Sequence, residues 1–437
     1  MCLTATMDAL CCTGMVCCKT ICCCCKSCCG STFKEQIKLA YILLNYTTIF
    51  VTMIFCYFLQ GLFDNYLKFI QCPTDDNSQC LGVSSIYRIC FVLMWMYIFL
   101  MIFMLIRGEI AKIANESLWP LKFLFIAIFF FGTLFIHNSF FKGYVYFAIV
   151  ISGLFMVFQI IMLIDVFYLW GQSWISIYDN GGEYMKYILI ITTAILYGGA
   201  LTLNIFNFIW FSGCGTNIFM NIFTIILIVG ATGVQLLGWN PQGSLLTSGA
   251  MAIYIVFQAY QAQSSWPESQ CNSLSKSEGT RIIEIVVGIL LTIVSLLYLT
   301  FGTSNSSSIN LVQLESKDEK LENQQREANQ DEEQQLLQQQ QQQQKLEEAK
   351  ELVKQAEMLP YTTNQYLMFH FIMFITIIYM MILLTNWSEP NFNENSFEAY
   401  QPNKLAYWVK MVTSWLAALL YIWTLIAPHI FPDRDFS

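Results

Sequence analysis

Charge is scarce in this sequence: Asp, Glu, Lys and Arg supply 12% of its 437 residues, against roughly 25% in soluble domains. A chain this poor in charge cannot coat a globular surface facing water, which excludes an ordinary soluble enzyme or binding module. Histidine is rarer still. His137, His370 and His429 are the only three, too far apart to suggest a shared metal, so no metal and no cofactor is expected. No Gly-rich dinucleotide turn, P-loop lysine or GxSxG elbow occurs, which argues against a self-contained ATP-driven pump and gives no ground for calling the chain an enzyme. The short alternating segments of a transmembrane barrel are missing. So is the uninterrupted apolar core of a cleavable signal peptide, because cysteines stand where it should be. The formal charge of -8 is local: residues 312–357 hold twelve acidic and six basic side chains, or -6 of it. No nucleic-acid footprint remains.

What the sequence has is apolar length, with 56% of residues hydrophobic. Runs exceed the roughly 20 residues that a helix needs to cross a hydrocarbon core, so the expected fold is all-α and polytopic. About ten spans are expected, near 37–60, 87–106, 119–137, 143–172, 185–210, 217–237, 245–263, 281–302, 361–385 and 404–427. They divide the chain into a Cys-rich N-terminal segment (1–36), spans one to eight (37–302), a Gln/Glu-rich loop (303–360) and spans nine and ten with the tail (361–437). An even number of spans puts both termini on one side. Lys19, Lys26, Lys34, Arg107 and Lys112 mark that side as cytosolic under the positive-inside rule. Cys72, Cys80, Cys214 and Cys271 then fall in loops on the oxidising face and are disulfide candidates. Asn386-Trp387-Ser388 is a glycosylation sequon at the end of span nine.

Span four can stay helical for about 30 residues, some 45 Å at 1.5 Å per residue, and should tilt or project from the bilayer. The 303–360 loop has high helix propensity but less than two heptads of apolar repeat, so it reads as a solvated, partly helical segment. Intramembrane ionisable groups are costly and therefore flag function. Asp165 in span four and Lys122 in span three are such groups, and both sit toward the cytosolic side. They either pair or snorkel separately. Glu284 and Arg281, one turn apart, read as an interfacial pair.

Polar residues also recur at helical spacing. Thr193, Tyr197, Asn204 and Asn207 share one face of span five, and Thr247, Tyr254, Gln258 and Gln261 share one face of span seven. Shorter stripes are Asn217, Asn221 and Thr224 on span six and Asn45, Thr48 and Thr52 on span one. Such stripes either bond helix to helix, with small residues permitting close approach, or line a groove for a lipid headgroup or small solute.

Residues 11–29 hold ten cysteines in nineteen positions. On the cytosolic side thiols stay reduced, which disfavours a disulfide knot. CxxC spacing at Cys22/Cys25 and Cys25/Cys28 leaves metal binding as a minority reading. Reversible S-acylation of Cys22, Cys23, Cys24, Cys25, Cys28 and Cys29 fits a membrane-proximal cluster interleaved with Ile21, Lys19 and Lys26 best.

The last residues, "SWLAALLYIWTLIAPHIFPDRDFS", resemble the C-terminus of the serine incorporator (SERINC) family. "IIMLIDVFYLWGQSWI", "IYRICF", "SGCGTNIFMNI" and "SLLTSGAMAIYIVFQAYQAQSSWPESQCN" are similar to other segments of that family. The Gln-rich insertion and the density of the cysteine run depart from it. The resemblance implies two helical bundles crossed by a long diagonal helix, matching span four, with lipid in grooves between them. It implies partners among membrane phospholipids, with sphingolipids or sterol as further candidates, and assembly with copies of the same chain. Location would be the plasma membrane or endomembrane system. Two activities are implied: ATP-independent phospholipid scrambling, or serine delivery to phosphatidylserine and sphingolipid synthesis. A lipid-binding scaffold without transport is the third reading.

Overall fold

The computed structural model describes residues 33–58, 77–106, 109–274, 279–301, 363–393 and 396–431. The acylation candidates Cys22 to Cys29, Cys72 and the whole of the 303–360 loop lie outside them. The chain falls into two units, residues 1–43 with 299–362 and residues 44–298 with 363–437. The packing and sites that follow belong to the second.

The helices are α1 (Phe33–Phe58), α2 (Asn77–Ile106), α3 (Glu109–Glu116), α4 (Trp119–Thr133), α5 (Asn138–Asp179), α6 (Glu183–Phe211), α7 (Gly215–Leu236), α8 (Leu245–Ser264), α9 (Gly279–Phe301), α10 (Thr363–Leu384) and α11 (Lys404–Ile430). The runs of Ile, Val and Phe within them would suit strands in water. In hydrocarbon every backbone group must be bonded within its own segment, which selects helix.

Each expected span has its helix, but only eight helices are long and apolar enough to cross a membrane among the described residues. The two that fall short do so for different reasons. Span three is α4, only 15 residues long. Span seven is α8, in which every residue but Leu245, Ile253, Phe257 and Ser264 is buried. A helix walled in by protein has little contact with lipid, so its composition is free to be polar.

Span four is longer than expected. α5 runs for 42 residues, about 63 Å at 1.5 Å per residue, twice the hydrocarbon thickness. The His137 side chain accepts from the Ser139 amide at its start, and Gly181, in the left-handed region at φ 97°, follows its end. One group of helices is α2 with α3, α4 and α10; another is α6, α7, α8 and α11. α5 packs on α10 of the first and on α6, α8 and α11 of the second, which is the crossing helix expected from the sequence. Gly171 permits its close approach to α8, since a Cβ there would lie 2.7 Å from Ser244 Oγ. Ile160, Leu163 and Ile164 of α5, Met251, Tyr254 and Ile255 of α8, and Ala417, Ala418 and Tyr421 of α11 form one buried cluster.

The all-α expectation omits one element. β1 (Glu389–Asn393) and β2 (Ser396–Gln401) pair antiparallel between α10 and α11, with Asn393 opposite Ser396.

Candidate functional site

The α6 and α8 stripes meet. Gly249 of α8 sits where a Cβ would lie 3.2 Å from Leu196 and 3.3 Å from the Tyr197 ring. Tyr197 bonds Thr232 of α7 at 3.0 Å. Asn204 and Asn207 are fully buried, yet neither end of the Asn207 amide, nor Asn204 Nδ2, nor Thr193 Oγ1 has a protein hydrogen-bond partner. On α8, Gln258 donates to the Tyr254 hydroxyl at 2.7 Å, leaving its own Oε1 without a partner. Gln261 contributes through its backbone: its carbonyl accepts from Ser264, Ser265 and Lys410. Thr247 has a different task, since its hydroxyl meets Ser244 and the Phe167 carbonyl and fastens α8 to α5. Interhelical bonding therefore accounts for part of each stripe and leaves the Asn204–Asn207 stretch unaccounted for.

At the end of the group remote from the disulfide described below, a polar network continues from these stripes. Ser248 and Tyr421 hydroxyls lie 2.6 Å apart, and Tyr168 bonds Thr424 at 3.1 Å. The Asn240 amide donates to the Thr424 carbonyl at 2.9 Å and reaches the Tyr168 hydroxyl at 3.4 Å. Asp165, one turn before Tyr168, accepts from Tyr298 of α9 at 3.5 Å. It is exposed on the same face as Ile161 and Leu169, which are also exposed. Lys122 lies in a different setting. Its ammonium donates to the carbonyls of Asn115 and Ser117 at 2.8 and 2.9 Å and rests 4.1 Å from the Trp119 ring centre. It thus caps the C-terminal end of α3, where bare carbonyls and the helix dipole favour a cation. The Lys122–Asp165 pairing considered from the sequence gives way to these partners.

At the disulfide end, Cys214 and Cys271 are bonded, joining the start of α7 to the loop after α8. Cys80 is also disulfide-bonded. Glu268 lies near both sulfurs of the first bridge, but sulfurs spent on a disulfide do not ligate metal. Glu268 pairs instead with Lys404 at 3.0 Å, and that hydrogen bond, with one from Trp266, holds its carboxyl below the usual range. The stabilisation is present above the ordinary glutamate pKa and fades as pH falls through the lowered one; both groups are exposed, so it is small.

Deeper at the same end lies an ionic site. Lys410 of α11 and Glu284 of α9 are buried and 3.7 Å apart. Lys410 also donates to the Gln261 carbonyl at 3.1 Å and Ser265 Oγ at 2.9 Å, with the Trp387 ring centre 5.0 Å away. Asn386 and Trp387, both left-handed at φ 54° and 57°, end α10 and turn that ring inward. Beside the pair is a polar cavity of about 20 Å³, room for one water, lined in part by Ser264, Ser265, Thr280 and Arg281. Glu284, expected to pair with Arg281, thus has Lys410 as its ionic partner. The Asn386 sequon is packed into this wall, with Trp387 and Ser388 buried. Sequence reasoning missed Lys410, although the rule that flags Asp165 applies equally to a lysine inside span ten.

A family profile described as "Serine incorporator (Serinc)" matches residues 10–434, nearly the whole chain. The chain belongs to the serine incorporator family. Its similarity to individual members is low but long. A probable serine incorporator of Nematostella vectensis is 26% identical over 383 residues, covering 82% of this chain and 81% of that one. Serine incorporator 2 of Bos taurus is 24% identical over 391 residues, covering 83% and 81%. A probable serine incorporator of Monosiga brevicollis is 26% identical over 369 residues, covering 74% and 72%. As an integral membrane protein of this family, the chain has a polar seam and an ion pair set among otherwise apolar helices.

Proposed function

We propose that this serine incorporator moves phospholipids between leaflets without ATP. The observation that carries the reading is Asp165, a carboxyl exposed between Ile161 and Leu169 on the outer face of a membrane helix. A carboxyl facing hydrocarbon costs several kcal/mol, on the order of 3, unless polar groups reach it. Lipid headgroups are the polar groups that approach a helix from its lipid side. From Asp165 the Tyr298, Tyr168, Thr424 and Asn240 groups continue inward, while the buried amides of Asn204 and Asn207 offer further donors and acceptors that the protein leaves unsatisfied. A headgroup following these groups keeps its tails in hydrocarbon, and such passage down a gradient needs no energy-coupling motif.

The test is purified protein reconstituted in liposomes with a fluorescent phospholipid, followed by dithionite. Quenching should proceed past the outer-leaflet fraction; quenching that stops there, as in empty vesicles, rejects the reading. Serine uptake into the same vesicles, the activity suggested by the relatives' names, should stay at the level of empty vesicles. Asp165→Asn should slow lipid exchange several-fold while the elution profile of the purified protein is unchanged. Unaltered exchange would remove Asp165 from the path.

A further inference from the structure

The hairpin of α5 and α6 reaches past the helices beside it. α6 and α8 run side by side: a Cβ on Gly249 would lie 3.2 Å from Leu196, and further along the Trp210 and Tyr260 rings are 6.0 Å apart. Four residues back from the first contact, α8 begins at Leu245, level with Thr192. α7 runs the other way and ends there too, since Thr232 bonds Tyr197 at 3.0 Å and Leu236, its last residue, is one turn further. α6, however, begins at Glu183, nine residues before Thr192, or about 13 Å at 1.5 Å per residue. α5 matches it. Gly171 meets Ser244, the residue that caps α8, and α5 then continues for eight residues, about 12 Å, to Asp179. The Asn180 amide bonded to the Ser176 carbonyl at 3.1 Å, and left-handed Gly181, close the hairpin.

The loop between α7 and α8 does not follow the hairpin outward. The Asn240 side chain is held to the Thr424 carbonyl at 2.9 Å and reaches Tyr168, which precedes Gly171 on α5. The backbone amide of Gln242 turns back onto Asn240 Oδ1 at 2.9 Å, and Gly243 is pressed against the Gln235 side chain of α7. The loop therefore stays at the level of the helix ends, set back about 12 Å from the hairpin tip.

The bilayer gives that level a meaning. α6 carries no charge from Tyr187 to Phe211, and little of it is buried. A hydrocarbon core of about 30 Å takes about 20 residues, which counted from Phe211 end at Thr192, the level of the loop. Past it stand Trp174, Tyr178, Tyr184 and Tyr187, residue types that concentrate among headgroups, and the charged Asp179, Glu183 and Lys186. Tyr184 and Tyr187 are exposed, as is Trp239 of the loop. Ile188, Ile190 and Ile191 are exposed too, which a hairpin standing wholly in water would leave uncovered. We propose that the α7–α8 loop and the hairpin beside it are a docking surface for phospholipid headgroups, so that the polar seam opens through Asn240 onto the headgroup layer and not onto bulk water. The use of this surface rests on the transport reading; its depth rests on the register of the helices.

A nitroxide at Gln242 tests it, attached through a genetically encoded ketone side chain so that the native cysteines stay unlabelled. Asn180 at the hairpin tip and Ile195 on the lipid face of α6, both exposed, are the references. Pro241, exposed in the same loop, is the second position should Gln242 not tolerate the label. In phosphatidylcholine vesicles, collision with a water-soluble nickel chelate should be several-fold weaker at Gln242 than at Asn180, and several-fold stronger than at Ile195. A Gln242 label as open to the chelate as Asn180 puts the loop in water and overturns the proposal. One as shielded as Ile195 puts it in hydrocarbon and overturns it equally. The measurement involves no lipid exchange. A headgroup-level Gln242 in a protein that fails the dithionite assay rejects transport and keeps the surface; a water-level Gln242 in a protein that passes rejects the surface alone.

Discussion

Lys410→Met is expected to lower thermal stability in detergent more than any substitution on the lipid-facing surface, by about 3–5 kcal/mol, the range for breaking a buried ion pair from one side. The ammonium has three acceptors: Glu284 of α9, the Gln261 carbonyl of α8 and the Ser265 hydroxyl just past the end of α8. Methionine fills nearly the same volume, so the loss is electrostatic rather than a cavity. It strands the Glu284 carboxylate in a buried setting with no cation to meet it and room beside it for a single water. Glu284→Gln alone strands the ammonium in the same way, though with two acceptors left. The double variant Lys410→Met, Glu284→Gln should recover much of the loss, since two neutral side chains have nothing to strand. The measurement is a thermal-unfolding cycle of the four proteins. Additive losses, with no recovery in the double variant, would show that the two groups are uncoupled and that Lys410 acts only through α8. The cycle bears on function too. α9 is tied to α11 by this pair and to α5 by Tyr298 and Asp165, so weakening either tie frees a helix that borders the seam.

The order and nature of the elements were legible because hydrocarbon permits so few backbone solutions: an apolar run of sufficient length becomes a helix almost regardless of propensity. The boundaries were less so. α2 begins at Asn77, ten residues before span two was expected, because "NSQCLGVSSI" is polar enough to resemble a loop. Its Ser84 and Ser85 are in fact buried, and protein contact rather than lipid sets its composition. The hairpin after α10 was hidden for a related reason: "EPNFN" and "SFEAYQ" hold few apolar residues to alternate.

The candidate site was legible as a set of residue types on helix faces and illegible as a set of partners. Periodicity put Asn204 and Asn207 on one face of the helix, and the structure buries both. Periodicity within a helix says nothing about register between helices, and pairing depends on register. Hence Lys122 caps α3 rather than meeting Asp165, and Glu284 reaches α11 rather than Arg281 one turn away. Tyr168, Thr424 and Ser248 lie on three different helices and Asn240 in a loop, so no periodicity within one helix groups them. They become a network only when three helices and the loop after α7 converge.

Arg88 makes the second large effect, and it should behave differently from Lys410 because its partners are mostly backbone. The side chain is wholly buried in α2. Nε donates to the Thr133 carbonyl at 3.2 Å, and Nη2 donates to the Ile136 carbonyl at 3.0 Å and to Asn138 Oδ1 at 2.8 Å. Nη1 turns back to the Ser84 carbonyl at 3.2 Å, and the guanidinium carbon lies 4.9 Å from the Phe141 ring centre. The Thr133 carbonyl ends α4, where a helix leaves acceptors bare, the Ile136 carbonyl belongs to the turn that follows, and Asn138 opens α5. One guanidinium fork therefore joins α2 to the α4–α5 corner. Hydrogen bonds to a charged group are worth about 1.5–3 kcal/mol each, so Arg88→Met should remove several kcal/mol and leave little monodisperse protein on size exclusion. Arg88→Lys keeps the charge but presents three donors from one point, too compact to span acceptors on both elements, and should fall between the two. No second substitution restores the Arg88→Met protein, since the stranded acceptors are carbonyls that mutation cannot delete. A monodisperse Arg88→Met protein with unchanged unfolding temperature would refute the clamp, and would mean that the corner is held by the ring contacts of Phe91 with Phe140 and Phe141.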